Sequence, residues 1–263
     1  MNLSLPSFLS TSERTAVRTR REGAVLHVEL HAPETGNAVT EAMLDRLLDI
    51  VAAPDPEVRV LVLGGAGDDF CLGGDRAEFG RWLEEDPGGR GIRVFGEKGR
   101  QVCEAISGSR AVTIARVQGK AIGAGLALAL ACDLRVGAET AAFRLPELAL
   151  GLPTAWGGLL PRLIHEVGAA RVRDLVLTGR AFDAAEAHRL SVLQRVVPEA
   201  ELDDAVAAWA KPVLRRPEAA LRVTKALLSS YAAATRLADP GFLDAELMAS
   251  VAAATSRGGE RGM

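Results

Sequence analysis

The chain has 263 residues, with 31 Lys and Arg against 34 Asp and Glu and a formal net charge of −3, a balance that argues against nucleic acid as a partner. Hydrophobic residues make up 48% and charged residues 25%, an ordinary globular composition that excludes wholesale disorder and leaves material for one large core or a main domain with an appendage. Cys71, Cys103 and Cys132 are odd in number and far apart, so they read as buried free thiols, not as a disulfide framework or a zinc ribbon.

The opening MNLSLPSFLSTSER lacks an early basic cluster and carries Pro6 and several serines where a signal peptide needs an apolar run, so a cytoplasmic location is expected. Residues 24–30 alternate as a half-buried strand. Thr40 can cap a helix reaching about Ala53, with Met43, Leu44, Leu47, Leu48 and Val51 at helical spacing, and Pro54 and Pro56 stop it. Val58 to Leu63 reads as a buried strand, followed by a glycine-rich loop to Asp75. Residues 80–92 mix glycine, Pro87 and charge and read as a mobile surface excursion before a helix over 95–106.

Residues 112–117 form another strand, Gly119 to Gly125 turn the chain, and Leu126 to Cys132 form a buried helix ended by Asp133 and a short strand at 134–136. The apolar stretch Ala121 to Cys132 is far below the ~20 residues that span a bilayer, and no membrane association is expected. Alternating strands and helices predict an α/β architecture. Beyond Pro198, residues 199–214, 217–234 and 240–254 read as three helices, with a frayed SRGGERGM tail.

Two nucleotide motifs fail on detail. A P-loop needs glycine where Ile114 stands and Ser or Thr where Ala121 stands, and Gly119, Gly123 and Gly125 do not make GxGxxG. What remains is a pair of strand-to-loop turns, Phe70-Cys-Leu-Gly-Gly-Asp75 and Gln118-Gly-Lys-Ala-Ile-Gly-Ala-Gly125. Facing one another, their exposed backbone N–H groups could hold an oxyanion, helped by the start of the following helix; the alternative is two tight turns with no further role. Glu147, among apolar residues and prolines, is a candidate proton shuttle if burial raises its pKa; otherwise it is an exposed loop or capping carboxylate. The four histidines show no ligand spacing, and no metal site is expected.

Taken together these segments resemble the enoyl-CoA hydratase/isomerase, or crotonase, family from about residue 15 to about 250. The resemblance rests on Gly36-Asn-Ala-Val, on Val60 through Asp75, on Gln118 through Asp133, on Phe143-Arg-Leu-Pro-Glu-Leu-Ala-Leu-Gly-Leu-Pro, on Leu177-Thr-Gly-Arg and on Val196-Val-Pro, in family order. It implies a spiral core of repeated β-β-α units over 1–198 and a C-terminal helical oligomerisation domain over 199–263, assembled as a trimer or hexamer. It also implies a substrate held as a CoA or carrier-protein thioester, with no cofactor beyond the CoA it carries. Carried over by position, the oxyanion donors are the N–H groups of Leu72 and Ala124, Glu147 is the acid/base, and Ala38, Leu72, Gly73, Gly74, Asp75, Ala124 and Trp156 contact the substrate.

Departures from the family pattern narrow the chemistry. Hydratases place a first glutamate where this chain has Ala127, so the resemblance favours enoyl isomerisation by Glu147 alone over true hydration. Thr154 stands where other branches carry a catalytic aspartate, and Trp156 replaces a small residue, either narrowing the acyl pocket or packing in the core. A hydrolase or decarboxylase on the same scaffold, or a non-catalytic acyl-CoA-binding partner subunit, are the alternatives.

Overall fold

Residues 16–53, 55–234 and 243–259 are described by a computed structural model of the chain. Strands β1 (Val17–Glu22) and β2 (Val25–Leu30) form an antiparallel hairpin, followed by α1 (Glu41–Val51). Thr40 caps α1 as expected, its hydroxyl accepting the Met43 N–H at 3.1 Å. After β3 (Val60–Gly65) come α2 (Arg76–Glu85) and α3 (Arg90–Gly108), then β4 (Val112–Val117), β5 (Lys120–Ile122) and α4 (Ala124–Ala131). Next are β6 (Leu134–Ala138), β7 (Ala142–Arg144), a 3₁₀ turn at Glu147–Leu150, α5 (Leu159–Val167) and α6 (Ala169–Thr178). Strand β8 (Phe182–Asp183), α7 (Ala184–Arg189) and β9 (Arg195–Val197) lead into α8 (Leu202–Arg215), α9 (Glu218–Ala234) and α10 (Asp244–Gly259).

The larger sheet runs β1-β2-β3-β4-β6-β9 and is parallel from β2 onward, while β5-β7-β8 make a second, smaller sheet. Each pass of the chain therefore lays one strand in each sheet and then a helix: β4, β5 and α4, followed by β6, β7 and α5. The first pass does the same in reduced form, with β3 in the large sheet and Cys71 bridging Ala121 of β5. Residues Val60–Leu63 and Val112–Ala115 are all buried, as parallel strands covered on both faces require. Helix α4 is buried all round, and its alternation of alanine and leucine lets sheet and helices close on it.

One local expectation is corrected, and one strand escaped the sequence pattern. The 80–92 segment is not an excursion: it belongs to α2 and α3, with only residues 86–89 turning between them. Asp75 caps α2 by accepting the Glu78 N–H at 2.8 Å, and Phe79 and Trp82 pack on Phe95, a stripe that the surrounding charge conceals. Strand β1 had no sequence signal because, at the sheet edge, it buries only Val17. The leader reading, on residues 1–14, falls outside the described residues, as do Pro54, Pro240 and residues 260–263 of the tail, whereas α10 continues to Gly259.

The C-terminal helices rest on the same core. Arg59 donates to the carbonyls of Leu214 (2.7 Å) and Arg216 (2.6 Å) at the end of α8. Lys225 of α9 reaches the Ala111 carbonyl and the Asp133 carboxylate, each at 2.7 Å, and α10 lies along α3. Among the described residues no helix is long and apolar enough to cross a membrane.

Candidate active site

The two glycine turns meet. Phe70 N–H donates to the Gln118 carbonyl (3.0 Å), Cys71 N–H to the Lys120 carbonyl (3.0 Å) and Ile122 N–H back to the Cys71 carbonyl (2.9 Å). Asp69 Oδ1 accepts the Lys120 N–H at 2.9 Å, and Gln118 Nε2 donates to the Gly65 carbonyl at 2.6 Å. Asn37, fully buried at a φ of +54°, clamps the approach: its Nδ2 donates to the carbonyls of Ala66 and Asp69 at 2.8 Å, and its Oδ1 accepts the Ala32 N–H at 2.9 Å.

In this arrangement Leu72 is not a free donor. Its N–H is given to the Gly36 carbonyl at 2.9 Å, and its side chain lies over Gly36. Among the described residues, the N–H of this turn without a hydrogen-bond partner is that of Gly74, since Gly73 N–H approaches Cys71 Sγ and Asp75 N–H donates to the Val39 carbonyl. In the second turn the N–H groups of Ala124, Gly125 and Leu126, in the first turn of α4, have no intrahelical acceptor; of these three residues only Ala124 lines the adjoining cavity. The unusual backbone falls on Gly123 (φ +50°, ψ −113°), so alanine is tolerated at 124.

Glu147 opens the 3₁₀ turn after β7. Gly123 N–H donates to the Arg144 carbonyl at 3.0 Å, which draws this segment beside the second glycine turn. A Cβ on Gly123 would lie 2.8 Å from Glu147 Oε1, so glycine there leaves the carboxyl its place. Glu147 Oε2 is buried without a hydrogen-bond partner, as is the neighbouring Thr154 Oγ1. Burial raises the Glu147 pKa above the ordinary glutamate range, opposed more weakly by its own backbone N–H and by the Thr154 hydroxyl close by.

Leu72, Gly73, Gly74, Ala124, Glu147 and Trp156 all line one cavity of about 380 Å³. Ala38 and Asp75 do not line it: Ala38 sits half-buried beside Val39, and the Asp75 carboxylate is occupied as the α2 cap. Ala127 is buried in α4 and brings no ionisable group. All three thiols are buried and free, with pKa values pushed up by burial to about 12. Sequence reasoning missed Phe79, Leu83, Ile92 and Phe95 from α2 and α3 and Met248 and Ala252 from α10, which complete the walls. The signal for the first group was the Phe79, Trp82, Leu83 spacing; for α10 there was none.

A fold in which every winding adds a β-β-α unit, with two free N–H groups and a buried carboxyl around one cavity, is that of the crotonase class. The sequence pattern of the enoyl-CoA hydratase/isomerase family matches residues 20–262, and the chain belongs to that family. It is 34% identical to a crotonyl-CoA hydratase of Syntrophomonas wolfei over 208 residues, covering 77% of this chain and 76% of the relative. Among solved structures it is similar to an enoyl-CoA hydratase of Bacillus anthracis (29% identical, 81% and 82% of the two chains covered, TM-score 0.75). It is also similar to a Thermobifida fusca relative in complex with CoA (32% identical, 96% and 97% covered, TM-score 0.75).

Proposed function

We propose that this chain is an enzyme acting on an enoyl-CoA thioester by enolate chemistry. The Gly74 and Ala124 N–H groups stabilise the thioester oxygen while Glu147 removes an α-proton and returns it to a nearby carbon. The observation that carries this reading is the buried Glu147 carboxyl, with Oε2 unpartnered, on a residue that lines the same cavity as Gly74 and Ala124. Fixed donors aimed at a developing oxyanion stabilise it without reorganisation, and losing one typically costs ~10²–10³ in rate. With Ala127 apolar, a second carboxylate to position water is missing, which favours isomerisation of a 3-enoyl substrate over hydration of a 2-enoyl one. CoA enters as part of the substrate, so the reading calls for no separate cofactor.

The test is incubation with 3-enoyl-CoA and, separately, 2-enoyl-CoA in deuterated water, followed by mass spectrometry. Conjugation of the 3-enoyl double bond, reduced about 10²–10⁴-fold in Glu147→Gln, is the expected result. A water adduct from the 2-enoyl substrate overturns the preference for isomerisation. Free CoA as product points instead to hydrolysis, and carbon dioxide released from a malonyl-type thioester, added as a third substrate because the enoyl thioesters have no carboxylate to lose, points to decarboxylation.

The trimer or hexamer implied by the family likeness is proposed as well. Exposed Val223, Leu227 and Tyr231, four residues apart along α9, supply an apolar strip for such an assembly.

A further inference from the structure

The chain is poor in aromatic residues, with seven Phe, three Trp and one Tyr. Even so, Phe79, Trp82, Phe95 and Trp156 form one unbroken series of ring contacts, their centroids between 5.0 and 5.9 Å apart and their planes tilted by 39° to 77°. Phe79, Phe95 and Trp156 face the cavity. Successive rings are tilted against one another, so three of the four aromatic side chains meet at the cavity in different orientations.

Helix α3 is cut away to admit these side chains. A Cβ on Gly99 would lie 2.3 Å from the Trp156 ring, and one on Gly91 would lie 2.6 Å from Trp82. Glycine weakens a helix interior, so Gly99 trades helix stability for the seating of the Trp156 indole, while Gly91, in the first turn of α3, leaves room for Trp82. Gly96 serves α10 in the same way: a Cβ there would meet Ala245 and Met248 at 3.0 Å, and Met248 with Ala252 then walls the cavity. Among the described residues, the ionisable groups lining the cavity are Glu147 and the exposed Arg76.

These walls suit a particular acyl group. A closed apolar cavity of roughly 150 Å³ already holds benzene, so about 380 Å³ accommodates a ring with its thioester linkage. Leucine and isoleucine walls would bury a straight chain equally well by area. Aromatic walls add face and edge contacts that a methylene chain lacks, and a rigid ring loses less torsional freedom than a chain on binding.

We infer that the acyl group selected by this site carries an aromatic ring close to the thioester, in place of a straight chain; the inference rests on the thioester reading above. The test is calorimetric titration of the full-length protein with CoA itself and with phenylacetyl-, cyclohexylacetyl- and octanoyl-CoA, three acyl groups of equal carbon count. The expected result is phenylacetyl-CoA about tenfold tighter than octanoyl-CoA. That preference should fall to about twofold in Trp156→Leu, with affinity for CoA itself retained. If Trp156→Leu does not fold, Phe79→Leu is held to the same criterion.

Octanoyl-CoA binding as tightly as phenylacetyl-CoA overturns the inference and leaves the thioester reading intact. Cyclohexylacetyl-CoA matching phenylacetyl-CoA overturns it too, because ring shape and not aromatic contact would then be the source. Failure of CoA and all three thioesters to bind the folded wild-type protein sinks the thioester reading itself.

Discussion

Glu147 and Asn37 show how single side chains set the properties of the site. Burial raises the Glu147 pKa, and the base must be ionised to act. The acidic limb of kcat/KM should therefore fall above the ordinary glutamate value of about 4.3. The same shift fixes the sign for stability. A folded-state pKa above the unfolded one contributes stability below the unfolded value, and that contribution is lost as pH rises through the folded value. Glu147→Gln is thus expected to raise Tm at about pH 8, with the gain shrinking toward about pH 4, as thermal melts across pH would show. Asn37→Ala leaves the Ala66 and Asp69 carbonyls and the Ala32 N–H without their partner and should cost about 3 kcal/mol in denaturant unfolding. The positions of Glu147 and Ala124 on the cavity wall were legible because each sits in a motif of its own. Gly74 was read as a substrate contact but not as the residue with the free N–H, because which N–H stays free in 72–74 depends on a carbonyl, that of Gly36, contributed by a distant segment.

At the scale of elements, legibility followed burial. Strands β2, β3 and β4 and helices α1 and α4 bury enough of their residues to be read from pattern, whereas β1 buries one residue and α2 places its aromatic stripe among Arg76, Glu78, Arg81, Glu84 and Glu85. Tethers between elements carry a different kind of information. Lys225 alone joins α9 to both Asp133 and the Ala111 carbonyl, and Asp133 Oδ2 also accepts from Thr113 N (2.7 Å) and Oγ1 (3.0 Å). Asp133 is partly exposed, so Lys225→Met should cost about 2–3 kcal/mol, at or below the low end for breaking a buried pair. The loss should be read as a lower urea midpoint with an unchanged slope.

For the molecule as a whole, the helices at the C-terminus join functions that the sequence presents separately. Helix α8 caps the large sheet, α10 supplies part of the cavity wall, and α9 leaves an apolar strip outward. In sedimentation velocity the wild type is expected to run as a multiple of the chain mass and Leu227→Glu with Tyr231→Glu as a smaller species; an unchanged wild-type monomer would remove that strip from any assembly role. The hydrogen bonds that lock the two glycine turns together have a consequence for amide exchange. Phe70, Cys71 and Ile122 amides are paired between turns and should exchange with deuterium only when the core opens, whereas Gly74 and Ala124, a few residues away, have no partner to protect them. In the resting protein the Gly74 and Ala124 amides should therefore exchange fast beside the slow Phe70, Cys71 and Ile122 amides, and a bound thioester should be recorded as the slowing of Gly74 and Ala124.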